Sequence, residues 1–277
     1  MTLEIRPLQA PEEARLAAEL QRLIWGGDEV PAHVLLTAAH NGGLCAGAFV
    51  DGTLAGFVWG FLGLDDRLDP PRLKHCSHQL GVHPDYRNQG LGFLLKHFQW
   101  EFVLRQGIEL ITWTYDPLLA ANAHLNIARL GAICNTYRRD EYGELDDDLN
   151  AGLATDRFQV DLWVSSPWVR EAMQGQRAHS GSLEDVYWLN RPAADQDLEP
   201  PSPAALAGLH DAGPGRVAVA IPPDFQAKRG ADPQLAAAWR CATRDAFETL
   251  FAHSYSVVDF VRLPAFGCYI LEDNTCA

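Results

Sequence analysis

The spacing of apolar residues changes along the first 170 residues in a way that marks out a series of elements. Leu3-Glu4-Ile5-Arg6-Pro7 alternates as a half-buried strand does, and a helix is expected over 11–24, opened by Pro11-Glu12-Glu13 and closed by Gly26-Gly27. Residues 44–50 read as an apolar strand; Asp51-Gly52 signals a hairpin, and residues 53–61 return as the next strand. A polar loop over 65–71 leads to a fourth strand, 74–82. After Gly90 the apolar residues fall at Leu91, Leu94, Leu95, Phe98 and Phe102, the one-face spacing of a helix that ends at Arg105-Gln106-Gly107. A fifth strand spans 108–115, and Asp116-Pro117 opens a further helix running to about Leu130 and stopped by Gly131. Strands are expected over 132–138 and 157–164, separated by an acidic loop, 140–156, with a short helix over 168–174.

From Gly175 the composition shifts to Gly, Pro, Ala, Ser and Asp, with Glu199-Pro200-Pro201-Ser202-Pro203 the most linker-like piece. Regular structure resumes with a strand over 216–221. Asp232-Pro233 then caps a helix reaching about His253, and strands over 256–263 and 267–271 follow. This divides the chain into a domain over 1–174, a linker-like segment over 175–214 and a C-terminal α/β segment over 215–277. The tail repeats the strand, helix, strand, strand order of residues 108–164, which fits a degenerate half-copy that extends the sheet or supplies a dimer surface. The same order is common in α/β proteins, so both readings stand.

Charge and composition narrow the function. The formal net charge of −14 excludes a phosphate-backbone partner, which needs clustered Lys and Arg. No apolar run reaches the length of a membrane span, and the first residues read as a strand rather than a signal peptide, so a cytoplasmic protein is expected. The six cysteines are scattered without a C-x-x-C pair, as in a reduced protein with no disulfide frame. His75 and His78 lie three apart on a strand and so point to opposite faces; no metal site is expected.

The stretch from His78 to Gly92 concentrates the chemistry. A strand enters a tight turn and then a loop in which Gly90 and Gly92 leave the first turn of the following helix bare of side chains. Unpaired N–H groups and the positive end of the helix dipole suit a phosphate or pyrophosphate there. Short glycine patterns also occur in ordinary strand-to-helix turns, so the neighbouring elements decide the reading.

The string Val82-x-Pro84-x-x-Arg87-x-x-Gly90-x-Gly92, between a strand and a helix, resembles the acyl-CoA-binding motif of the GNAT N-acyltransferase superfamily. The strings His75-Cys76-Ser77-His78, Trp113-Thr114-Tyr115-Asp116-Pro117-Leu118, Asn122-Ala123-x-x-Asn126 and Leu149-Asn150-x-Gly152 resemble a predicted bacterial branch of it. The resemblance implies a mixed, splayed central sheet with flanking helices. It implies an acetyl-CoA or other short acyl-CoA co-substrate, succinyl-CoA included, and as acceptor the amine of a small molecule or amino acid. The backbones of Leu80, Gly81 and Val82 would pair with pantetheine, with the Val82 N–H polarising the thioester. Arg87, Asn88, Gln89, Gly90, Leu91 and Gly92 would cradle the pyrophosphate.

The acid and base are less defined. Where many relatives carry a tyrosine, this chain has Ile127, and the segment from Asp116 to Gly131 is about one residue longer than the common pattern. Asn122 and Asn126, four apart on one helix face, are candidates for contact with CoA. His78 is a candidate base, against the alternative of a core histidine; alternation places it on one face with Leu80 and Val82. Tyr115 and Asp116 at the end of the fifth strand are further catalytic candidates, and Tyr137 or Tyr142 could supply the missing phenol. Arg157 is a candidate for an acceptor carboxylate, with pairing to Asp156 or a loop carbonyl as the alternative. Arg240, Arg244 and Glu248 read as a solvated, salt-bridged stripe, and Asp146-Asp147-Asp148 as a solvated loop. The rival function is a catalytically degenerate acyl-CoA sensor or assembly module, and a homodimer is compatible with either.

Overall fold

The expected strands and helices resolve, in a computed structural model that describes residues 2–27, 29–143, 152–177, 183–192 and 197–274, into two compact units. The first contains Met1–Trp113 and Asp161–Met173; the second contains Thr114–Leu145, Gly152–Val160 and Gln174–Ala277. The division thus falls inside the fifth strand, inside the strand after the acidic loop, and between Met173 and Gln174, beside the boundary expected at 174.

In the first unit, β1 (Leu3–Pro7), β2 (Leu44–Val50), β3 (Thr53–Asp65) and β4 (Arg72–Val82) form an antiparallel run in sequence order. β5 (Leu110–Tyr115) joins β4 in parallel, as a strand reached through a crossover helix must. The helices of this unit are α1 (Pro11–Trp25), α2 (Ala32–His40), α3 (Leu91–Arg105) and α5 (Pro167–Met173). Helix α2 was not foreseen: it is short, and Val34-Leu35-Leu36 blurs its period. Every residue of β2 is buried, so the sheet is covered on both faces. On one face Phe57 and Trp59 pack with Leu8, Ala17, Leu20 and Leu35, from α1, α2 and their surroundings. On the other, Val58, Ala46 and Ala48 pack with Leu91 and Leu95 of α3.

The second unit holds α4 (Ala120–Ala123) with a π-helical turn (His124–Arg129), and β6 (Ile133–Arg138). The strand β7 (Arg157–Trp163) contributes Arg157–Val160 here and its last residues to the first unit. There follow β8 (Tyr187–Asn190), α6 (Pro203–Ala212), β9 (Arg216–Ile221), α7 (Phe225–Ala231), α8 (Pro233–Ala252), β10 (Tyr255–Arg262) and β11 (Gly267–Asp273). Strands lie in the order β7-β6-β10-β11-β9-β8. Phe158 is the hub of the core, with ring contacts to Tyr115, Tyr137, Phe247, Phe251 and Tyr269.

Residues 175–214 are thus not simply a linker. β8 pairs in parallel with β9, and the proline-rich run is the entry to α6, with Ser202 as N-cap and Pro203 at its first position. The succession β8, α6, β9, helix, β10, β11 has the element order of β4, α3, β5, helix, β6, β7. In both, the first two strands are parallel and the last strand inserts beside the second. Among the described residues, no helix is long and apolar enough to cross a membrane.

Candidate functional site

Strands β4 and β5 are paired through His75↔Ile111 and Cys76↔Thr112 only, so β4 runs on alone from Ser77 to Val82. Its outer edge is readable from the ladder with β3. His83 N–H donates to the Ala55 carbonyl at 2.9 Å, so Gly56↔Val82 is a non-hydrogen-bonded pair. Val82, and Leu80 two residues before it, therefore turn their N–H and C=O groups away from β3, towards the side where β5 has parted. The Val82 carbonyl receives the Arg87 guanidinium at 3.4 Å, and its N–H stays open. Gly81, expected to offer its backbone as well, spends it on Phe57 in the β3 ladder. Its lack of a side chain serves the opposite end of the problem: a Cβ there would stand 2.7 Å from Ile24 and Phe57 and 3.2 Å from Trp25.

The loop after β4 starts with a short 3₁₀ turn, Pro84–Tyr86, capped by His83 Nδ1, which accepts from the Asp85 N–H. Asn88 and Gly90 both take left-handed conformations, with φ of 61° and 83°. Alternating hands turn successive N–H groups to one side, the arrangement that makes an anion-binding concavity. No acceptor in the chain, among the described residues, takes the N–H groups of Asn88, Gln89, Gly90, Leu91 or Gly92. A Cβ at Gly90 would meet nothing within 4 Å, so the space before α3 is open. Gln89 folds back onto the Asp85 carbonyl, leaving backbone, not side chains, to face a ligand. These features fit a pyrophosphate.

Between Trp59 and Gly60 the β3–β4 register shifts, because Gln79 faces Trp59 and Ser77 faces Gly60. His78 is the extra residue, a β-bulge. The bulge breaks the simple alternation read from sequence: His78 shares a face with Trp59 and Phe61, its ring 5.2 and 6.1 Å from theirs, and not with Leu80 and Val82. His78 is exposed, so it is not a core histidine. The adjoining rings desolvate its imidazole and lower its pKa, so it is neutral and able to accept a proton at neutral pH.

The opposite face carries a buried polar layer that the sequence did not signal. Lys96 of α3 is 5 % exposed; its amine donates to Ser77 Oγ at 2.7 Å and Gln99 Oε1 at 3.2 Å, and lies 3.7 Å from the centre of the Trp113 ring. Ser77 and Trp113 are the first residues past the last rung between β4 and β5, so the amine fills the space where the strands part. Gln99 also sits 3.1 Å from Nε2 of His75. Burial pulls the Lys96 pKa down to about 7, and burial with the adjacent amine takes His75 to about 3. Lys96 binds a proton in the unfolded chain up to its ordinary value near 10.5 but in the folded one only to about 7. Its cost to stability is therefore full below pH 7 and disappears as the pH rises towards 10. Lys96→Met is expected to raise the Tm at pH 7, with the gain shrinking by pH 9.5; scanning calorimetry at the two pH values reads this, and a pH-independent difference would refute it.

In the second unit the candidates sort differently. Asp116 is buried and accepts two hydrogen bonds from the Arg240 guanidinium, at 2.8 and 2.5 Å, and one from the Leu118 N–H at 2.9 Å. Its carboxylate thus holds the turn after β5 and neutralises the buried Arg240, a structural role. Tyr115 is buried with its hydroxyl 3.2 Å from that of Tyr269, and burial raises its pKa well above the ordinary value. Tyr137 donates to Asp156 at 2.8 Å and is likewise raised by burial. Tyr142 is the exposed phenol, 2.7 Å from Thr114 Oγ1 at the end of β5. Arg157 is buried, donates to the Asp156 carbonyl at 3.0 Å and lies over the Tyr142 ring. The loop-carbonyl alternative is the one realised, and an acceptor carboxylate finds no exposed guanidinium there.

Asn122 is exposed and Asn126 buried. The π turn over His124–Arg129, seen in the Leu130 N–H donating to the Leu125 carbonyl, carries more residues per turn than an α-helix, so positions four apart lose their shared face. It also absorbs a one-residue excess between Asp116 and Gly131. Arg177 donates to the carbonyls of Ile127 and Ala128 on this turn and to that of Val258. Arg240, Arg244 and Glu248 are not a solvated stripe: beside the Arg240–Asp116 pair, Arg244 holds the fully buried Asp156 at 2.7 and 2.9 Å and Glu248 meets Arg139 at 2.6 Å. Burial would raise the Asp156 pKa, but hydrogen bonds from Arg244, the Asp140 N–H and Tyr137 outweigh it and hold the carboxylate low. The run Asp146–Asp148 lies outside the described residues. Among those described, no group of three or more His, Cys, Asp or Glu side chains could hold a metal ion.

A parallel pair that parts beside an open strand edge, and leads into a helix N-terminus without a side-chain cap, defines an α/β protein of mixed sheet with flanking helices. Residues 9–126 match the model of the acetyltransferase (GNAT) family, a family of acyl-CoA-dependent enzymes. Among solved structures it is similar to the ribosomal-protein-S18-alanine N-acetyltransferase of Escherichia coli, at 19 % identity and TM-score 0.48 over 60 % of this chain and 96 % of that one. It is also similar to a GNAT-family acetyltransferase of Streptococcus pneumoniae (19 %, TM-score 0.47, 58 % and 98 %). A third is the PaiA N-acetyltransferase of Thermoplasma acidophilum in complex with coenzyme A (18 %, TM-score 0.42, 59 % and 99 %). Comparison with curated proteins finds no match.

Proposed function

We propose that this chain transfers an acetyl or other short acyl group from CoA to the amine of a small molecule by direct attack. The observation that carries the reading is the continuity of the open Leu80–Val82 edge with the unpaired N–H groups of Asn88 to Gly92. Pantetheine pairs with Leu80 and Val82 as a short added strand, the pyrophosphate sits on the loop, and the Val82 N–H polarises the thioester carbonyl. The neutral amine attacks that carbonyl, and its proton passes to His78, directly or through water. The tetrahedral intermediate collapses with expulsion of the CoA thiolate. A thiol ionises at roughly pH 8–9, so the thiolate leaves without a strong acid and takes its proton from water, and Ile127 in place of the usual tyrosine is tolerated.

The same Ile127 favours a second reading, a CoA-binding sensor or assembly module without catalysis. Thermal shift with acetyl-CoA and succinyl-CoA, followed by thiol release over an amine panel, separates the two. Transfer predicts stabilisation plus turnover, and His78→Gln is expected to lower kcat by about 100-fold while leaving CoA affinity unchanged. Stabilisation without turnover on any amine supports the sensor; no stabilisation by either ester overturns both readings. Whether acetyl or succinyl is the group moved follows from which ester gives the higher kcat/KM.

A further inference from the structure

The rings of Trp59, Phe61 and His78 form a triad around the β4 bulge, with centroids 5.6, 5.2 and 6.1 Å apart. Trp59 is 5 % exposed, whereas Phe61 is 38 % exposed and His78 is exposed, so two edges of the triad are open. Two polar atoms at this place lack partners although buried, the indole N–H of Trp59 and Oε1 of Gln79, on residues paired in the β3–β4 ladder. A buried donor and a buried acceptor left unpaired destabilise the fold, so this corner of the strand face is not optimised for stability alone. No carboxylate or guanidinium is hydrogen-bonded to the triad or to Gln79 among the described residues. The other face of this stretch is filled by α3 and the Lys96 layer; on the triad's own face Trp59 packs in the core with α1 and α2, and Phe61 and His78 stay exposed beside it.

We infer that this aromatic triad is the acceptor subsite and that it takes an amine bearing an aromatic ring. The inference rests on the acyl-transfer reading. The ring of the acceptor stacks on the open edges of Phe61 and His78, with its amine beside the His78 imidazole. Aromatic pairs gain affinity beyond what burial alone supplies, which sets the preference. His78 then serves twice, as one wall of the subsite and as the group that receives the proton.

The test uses the full chain with acetyl-CoA and two matched pairs of amines, 2-phenylethylamine against butylamine and phenylalaninamide against alaninamide. The aromatic member of each pair is expected to have the higher kcat/KM, by about 10-fold. Phe61→Ala should erase that preference through KM, while acetyl-CoA affinity stays as in the parent chain; Phe61→Leu, which keeps the volume, should erase it too. Equal rates within each pair, or a preference that survives both variants, would overturn the inference. Should no amine be turned over, saturation-transfer NMR with the CoA-bound chain still reads binding: 2-phenylethylamine is expected to show ring contacts that Phe61→Ala removes. Absence of those contacts overturns the inference even where thermal shift shows CoA bound, whereas absence of CoA binding is the failure of the acyl-transfer reading.

Discussion

Gly90→Glu is expected to abolish stabilisation by acetyl-CoA, with an affinity loss of about 100-fold or more. Two separate causes add. Gly90 has φ +83°, where a residue with a Cβ costs about 1–3 kcal/mol, so the cradle itself is strained out of shape. The new carboxylate then stands at the N-terminus of α3, where five unpaired N–H groups and the helix dipole would hold it in place of the pyrophosphate. Crowding is not a cause, because a Cβ at this position meets nothing within 4 Å. Gly90→Lys separates the terms: it carries the same strain with the opposite charge and should retain part of the affinity. Thermal shift against acetyl-CoA concentration measures all three proteins, since tight binding at a hundredfold excess over Kd is worth about 2.7 kcal/mol of stability. Undiminished stabilisation of the glutamate variant would place the pyrophosphate elsewhere.

Arg240→Ala is expected to be the most destabilising single change in the second unit. Arg240 and Asp116 are 3 % and 7 % exposed and joined by two hydrogen bonds. Removing the guanidinium strands a buried carboxylate, which costs about 3–5 kcal/mol. For a chain of this size that is a fall of about 10 °C in Tm. The expense comes from the unpaired charge and not from the value of the pair, so Arg240→Met combined with Asp116→Asn should recover most of the loss. The asparagine still accepts from the Leu118 N–H, which keeps the turn after β5. Calorimetry of the single and double variants closes the cycle; a loss under about 1 kcal/mol for Arg240→Ala would show that water reaches the pair.

The residues that were legible in sequence are those whose role is local. Gly90 and Gly92 after an apolar strand announce an open helix N-terminus, because backbone conformation and the lack of a side chain act where they stand. The turn role of His83 before Pro84 is local in the same way. The residues misread are those whose role depends on a partner distant in the chain. Arg240 meets Asp116 across 124 positions and Arg244 meets Asp156 across 88, so a stripe at i, i+4 looked like a solvated face. Lys96 gave no signal because a lysine on an amphipathic helix is usually on the wet side, and only the parting of β4 from β5 makes room for its amine inside. A single inserted residue defeated periodicity twice. The bulge moved His78 to the face of Trp59, and the π turn parted Asn122 from Asn126.

The second strand–helix–strand succession, β8 to β9 through α6, shows what distinguishes a working cradle from its architectural echo. The side chain of Ser202 already accepts the Ala205 N–H, and Pro203 has no N–H to offer. The N-terminus of α6 thus answers its own unpaired groups from within, whereas that of α3 leaves them for something else. A chain with two such successions is accordingly expected to titrate a single equivalent of CoA per molecule of protein, as calorimetric titration would read.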